Sequence, residues 1–134
     1  KFDLEKFTSV SGKTGIYIQY AQVRANKLIG ALNMDEQSTS ETYSKLDLLD
    51  RKLIIALANI EFYLELSVKN SEPHHLANYL YEISNAFNAF YQASNIKNIE
   101  DKIKKNQKIL VTGLFIKYSH LVMSCLGIKP VEKM

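Results

Sequence analysis

Tyr17, Tyr20 and Arg24 stand three and four residues apart, so on a helix they share one stripe. Two large aromatics and an arginine make a platform for flat, anionic ligands. Rings stack on unpaired bases, while a guanidinium holds a phosphate or a base edge. The competing reading is structural, with tyrosines covering a neighbouring helix and Arg24 pairing with an acid. A second group at helical spacing comprises Tyr81, Ser84, Asn88, Tyr91 and Asn95, which could read base edges or finish the rim of a bundle. Glu72, His74 and His75 have metal-ligating chemistry. Adjacent histidines at a helix start are expected to point apart, however, and no further ligand is recognisably spaced, so no metal site is expected. His120 and Cys125 read as structural residues, with Cys125 in the core. The stretch GKTG at 12–15 resembles part of a phosphate loop but lacks its strand, its spacing and its Lys-Ser/Thr ending. Nothing in the chain looks catalytic.

These residues need elements to position them, and the composition points to helices. The 134 residues provide for one domain, 46% of them hydrophobic, with only two prolines and five glycines. A single cysteine excludes an intrachain disulfide framework and a cysteine-based zinc site, which makes a reducing, cytoplasmic location the expectation. Uninterrupted apolar runs are short, so no membrane span is expected. The chain begins without methionine, which suggests a fragment of something longer.

Periodicity places a first helix from about Ile16 to Leu32, buried through Ile18, Ala21, Ala25, Ile29 and Leu32. The polar stretch NMDEQSTSET reads as a linker. Leu46, Leu49, Leu53 and Leu57 mark a second helix from about Ser44 to Ala58, and a third runs from Asn59 to about Val68. Pro73 starts a fourth at its first position. Leu76, Leu80, Ile83, Phe87 and Phe90 form its core stripe, and it ends near Asn95. A last helix opens at an Asn98 cap, with Asp101 in its first turn. Its expected inner face is Ile103, Leu110, Leu114, Tyr118, Leu121 and Cys125, and Gly127 and Pro130 close it. The fold class is all-α, an antiparallel bundle of about five helices.

Charge is distributed unevenly along this bundle. Residues 1–30 carry a net +3, residues 31–72 carry −4, residues 73–96 carry −1 and residues 97–134 carry +5. Two basic ends around an acidic middle suit a polyanion contacted by both termini. Solvated helix faces without a ligand are the plain alternative.

Three stretches together resemble one family. GKTGIYIQYAQVRA (12–25) is similar to the TG-x-Y-x-QYA-x-x-R segment that opens the C-terminal domain of arginyl-tRNA synthetases. SEPHHLANYLYEISNAFNAFYQAS (71–94) resembles that family's EPH-x-LA-x-YLYEL-x-x-x-F-x-x-FY helix, and LGIKPVEKM (126–134) its LGI-x-x-PE-x-M ending. The resemblance implies a DALR-type anticodon-binding domain of a class I synthetase. It divides the chain into a lead-in loop from the catalytic region, 1–15, and a helical domain, 16–134. It implies binding of the anticodon region of arginine tRNA by a monomer, within a parent that charges tRNA using ATP and magnesium. The HIGH and KMSKS signatures that hold ATP are absent from these residues, so neither cofactor nor catalysis is expected here, and the partners are tRNA and the parent's own catalytic domain. By position the resemblance assigns tRNA contact to Tyr17, Tyr20, Arg24, Asn88, Tyr91 and Met134, and to Lys13 and Gly15 in the loop before the first helix. Departures are Ile16 for a common proline, Gln22 for a common histidine, Lys108 for a common arginine and Val131 within the final motif. A helical protein-interaction domain of the same ancestry, without tRNA selectivity, is the alternative.

Overall fold

The computed structural model describes residues 12–31 and 45–129. Met134, Leu32, Pro130 and the NMDEQSTSET stretch therefore lie outside the described residues, as do residues 1–11. Five α-helices and one short 3-10 turn make up the described residues, with no strand among them: α1 Gly12–Ala31, α2 Leu48–Ala58, α3 Ile60–Asn70, α4 His74–Ser94, the turn Ile96–Asn98, and α5 Lys102–Leu126. The all-α bundle is as expected. The boundary at Asn59 holds too, because this residue ends α2 and begins α3.

Helix α4 is the hub, packing against α1, α2, α3 and α5. All five residues of its expected stripe are buried, Ile83, Phe87 and Phe90 completely. Phe87 stacks on Phe115 of α5 with ring centroids 4.4 Å apart and planes within 7°. Burial of each such side chain is worth about 1.5–3 kcal/mol. Tyr79, also fully buried, donates its hydroxyl to the Leu57 carbonyl at 2.9 Å and so ties α4 to the end of α2. Burial pushes the Tyr79 phenol well above its ordinary pKa, so it remains a donor at any physiological pH.

Left-handed residues set the helix ends. Ser71 (φ 53°) ends α3, with Ser71 N–H donating to the Val68 carbonyl and Glu72 N–H to the Ser67 carbonyl, the paired bonds of a Schellman motif. The same pair recurs at Gly127 (φ 73°), where Ile128 N–H reaches the Met123 carbonyl at 2.8 Å. Asn95 (φ 43°) ends α4 as expected. Pro73 sits one position ahead of α4, and its carbonyl accepts from Leu76 and Ala77.

Several expectations about the helices fail. Helix α1 starts at Gly12, four residues early, so Lys13 and Gly15 belong to a helix and not to a loop. Asp101 is the N-cap of α5, its carboxylate accepting from Ile103 and Lys104 N–H, while Asn98 closes the preceding 3-10 turn. Asn98 is taken up by the 3-10 turn, which leaves Asp101 as the acceptor for the free N–H groups of the first turn of α5.

The largest correction concerns the face of α5. Leu110, Leu114 and Leu121 are 48%, 41% and 50% exposed, and Cys125 is exposed as well. The inner face is Lys108, Ile109, Val111, Thr112, Phe115, Ser119, Val122, Met123 and Leu126. At 100° per residue the leucine stripe lies roughly 150° from the centre of that buried arc. Helix α5 is therefore apolar on two sides. By length and composition it could cross a membrane, a property that counting uninterrupted apolar residues misses; in this fold one side of it faces the core.

Polar groups occupy that inner face because they have partners. Lys108, 2% exposed, donates to Asp50 Oδ1 at 2.6 Å and to Asp47 Oδ2 at 2.7 Å. Its ammonium also lies 5.4 Å from the centre of the Phe90 ring. Burial alone would lower the Lys108 pKa, but the hydrogen bonds it donates to Asp47 and Asp50 outweigh that and hold the ammonium above the usual lysine range. The hydrogen bond from Lys108 holds Asp47 below the usual carboxylate range, against a smaller opposing effect of burial. Thr112 Oγ1 donates to the Lys108 carbonyl at 2.9 Å.

Candidate nucleic-acid interface

Packing α1 on α4 assembles five of the eight residues assigned to tRNA contact, from two stretches more than sixty positions apart. Arg24 Nη1 donates to Asn88 Oδ1 at 2.9 Å, and Asn88 Nδ2 donates to the main-chain carbonyl of Tyr17 at 3.2 Å. The guanidinium can only donate and the carbonyl can only accept, so the two partners fix the orientation of the Asn88 amide. Asn88 is 7% exposed and is thus a buried bridge rather than a rim residue.

Above this bridge Arg24 lies among aromatic rings. Its Cζ is 5.2 Å from the centre of Tyr91 and 5.9 Å from that of Tyr20. Such contacts contribute about 0.5–1 kcal/mol each at exposed sites and hold the side chain in place. The alternative of an acidic partner for Arg24 is replaced by an amide and two rings. Tyr17 and Tyr20 remain 43% and 46% exposed, whereas Tyr91 is half-buried and also packs near Phe87, centroids 6.2 Å apart. The stripe is therefore separate from the core face of Ile18, Ala21 and Ala25, all buried.

A cleft of about 370 Å³ opens beside Tyr91, lined by Leu28, Gln92, Asn95, Ile96 and Lys97. The sequence carried no signal for it, because its wall is made by the left-handed turn at Asn95 and the following 3-10 turn. Of the remaining assigned residues, Gly15 is buried on α1 and Lys13 lies one turn before Tyr17 on the same helix. Ser84 is buried with its hydroxyl unpaired in the described structure, and Tyr81 packs against the core, so neither extends the surface. His120 meets the buried Gln22 at 3.1 Å, in keeping with a structural role.

The two adjacent histidines do not point apart. Their rings lie 4.2 Å apart, and both reach the Glu72 carboxylate across the turn between α3 and α4.

An exposed aromatic pair, a braced arginine and a cleft, all on a basic helical bundle, define a module suited to an unpaired nucleic-acid loop. Comparison with known proteins agrees: the model of the DALR anticodon-binding domain family matches residues 18–134, and the chain belongs to that family. Similar relatives are arginine–tRNA ligases, 32% identical in Francisella tularensis subsp. novicida and 35% in Actinobacillus succinogenes, each aligned over 99% of this chain. The chain spans 24% and 23% of their respective lengths. The crystal structure of arginyl-tRNA synthetase from Plasmodium falciparum superposes on the whole chain with a TM-score of 0.76 at 29% identity, again over 24% of its own length.

Proposed function

We propose that this domain binds the anticodon region of arginine tRNA as one part of an arginine–tRNA ligase. The observation that carries the reading is Arg24, braced by Asn88 between the rings of Tyr20 and Tyr91 on an accessible face. Each residue then has a role. Tyr17 and Tyr20 offer rings on which anticodon bases stack, and Tyr91 forms one wall of the adjoining cleft. The guanidinium is a planar fork of five donors, so it holds Asn88 and still presents donors to a base edge or phosphate. Lys13 and the exposed lysines of the basic C-terminal segment attract the phosphate backbone, and Met134 is assigned a further tRNA contact by family position alone.

Arginine activation with ATP and magnesium is proposed for the other three quarters of such a ligase, which acts in the cytoplasm as a monomer. The domain contributes selection of the tRNA and docks on that catalytic body.

Titration of the chain with arginine-tRNA transcript and a non-cognate transcript tests the reading. Tighter cognate binding is expected, with log affinity falling by about 0.7–0.9 per log unit of salt for each phosphate contact. Equal, salt-insensitive binding of both transcripts overturns it and favours the protein-interaction alternative.

A further inference from the structure

We propose that Glu72, His74 and His75 form a binding site for a divalent transition-metal ion of the zinc class, at the turn that joins α3 to α4. His75 Nε2 lies 3.2 Å and His74 Nε2 3.6 Å from Glu72 Oε2. A tetrahedral ion with ligand bonds of 2.0–2.2 Å keeps its donor atoms roughly 3.3–3.6 Å apart. The two separations lie close to that edge length, and the three ligand atoms all lie within 4.8 Å of one another. Two imidazoles and one carboxylate are a ligand set suited to zinc, leaving a fourth position for water.

A second observation separates this cluster from an ordinary surface ion pair. His75 Nε2 is buried and has no aligned hydrogen-bond partner in the described structure, although the carboxylate is within ion-pair distance. A buried nitrogen without a partner is costly. A nitrogen and a carboxylate close to each other yet misaligned for a hydrogen bond are placed as two ligands of a common ion would be. Glu72 and His74 are half-exposed, which leaves the ion a route in from solvent.

The backbone presets the ligands. Left-handed Ser71 and the Glu72 N–H bond to the Ser67 carbonyl fix where Glu72 emerges. Pro73 fixes its own φ and restricts the backbone of Glu72 before it, and His75 N–H returns to the Glu72 carbonyl at 3.4 Å. Binding would staple the end of α3 to the start of α4. The site is about 21 Å along α4 from Asn88, at 1.5 Å per residue, so it is independent of the Tyr/Arg platform.

Zinc alone is the probe, titrated into the tag-free 134-residue chain against a competing chelator, with Glu72→Gln and His75→Gln in parallel. Wild type is expected to bind one zinc per chain saturably and to melt at higher temperature when loaded. Each substitution removes a ligand, and its cost is at least the roughly tenfold to hundredfold seen when a supporting group is lost. Cobalt(II) in the same site gives the intense visible absorption of a tetrahedral ion. Absence of saturable binding by wild type, or equal affinity in the variants, overturns the proposal. Glu72→Gln keeps the test decisive if His75→Gln perturbs folding, because Glu72 is half-exposed and nearly isosteric with glutamine.

Discussion

Arg24 and Asn88, sixty-four positions apart, share a 2.9 Å hydrogen bond that crosses the seam between α1 and α4. Because Asn88 also holds the Tyr17 carbonyl, one amide side chain sets the position of the arginine relative to the first tyrosine. An arginine aimed in advance loses less side-chain entropy on binding than a mobile one.

The first prediction follows from that brace. Arg24→Ala is expected to weaken tRNA binding by about 1.5–3 kcal/mol, the range for a hydrogen bond involving a charged group. Asn88→Ala, which leaves Arg24 present but unbraced, is expected to reproduce much of this loss. The double variant should fall well short of the sum, since both act through one group. Titration of all three variants with the cognate transcript measures the coupling, and simple additivity contradicts the brace.

Tyr20→Ala separates platform from core. The ring is 46% exposed, so the melting temperature should barely move. Loss of tRNA affinity is expected at about 1–3 kcal/mol, the value of one base stacked on an aromatic ring. A thermal scan and a titration on the same sample decide it.

Phe87→Ala has the opposite signature. Its ring is fully buried and stacked on Phe115, and truncation leaves a cavity costing about 3–5 kcal/mol. Urea denaturation should show this as a lower midpoint, whatever happens to RNA binding.

The Lys108 cluster predicts how stability varies with pH. Asp47 is held below its ordinary pKa in the fold, so its contribution is in place above about pH 4 and is lost as pH falls further. Lys108 is held above its ordinary value, so its contribution is in place below about pH 10.5 and is lost as pH climbs through the raised value. Lys108→Ala should cost about 3–5 kcal/mol at neutral pH, because it leaves Asp50 buried without its cation. Asp47→Asn should flatten the acid limb. Melting curves from pH 3 to 11 on the three proteins check both signs.

Adjacent residues of α5 test which face is inside. Leu121→Ser should change stability by no more than about 0.5–1 kcal/mol, since half of the side chain is already in water. Val122→Ser buries a hydroxyl in a site with no exposure and should cost several times more. Equal losses would mean that the leucine side is covered.

Much of this was legible in the residues themselves. The α4 stripe could be read because its large apolar residues share one face and its other faces are polar. The Tyr17, Tyr20, Arg24 platform could be read for the converse reason, since it lies off a core stripe of small alanines. The α5 face could not. Its leucines point outward, while Lys108, Thr112 and Ser119 point inward, and only a tertiary partner makes that arrangement tolerable. Asn88 as a bridge depended on a main-chain carbonyl of another helix, for which no residue type is a marker. Glu72 and the histidines depended on a left-handed serine, a conformation that sequence rarely signals outside glycine and asparagine.

A helix apolar on two opposite sides has no unique way to turn about its own long axis. Grease alone would allow α5 to roll, leaving two packings close in energy. The Lys108 ammonium breaks that tie, since only one roll angle delivers it to both Asp47 and Asp50. The ion pair is thereby expected to select the roll angle of α5, a role attested for some buried polar groups and tested by replacing the lysine. A Lys108→Met protein would keep its helix content and lose its single arrangement, visible as broadened methyl signals in the NMR spectrum.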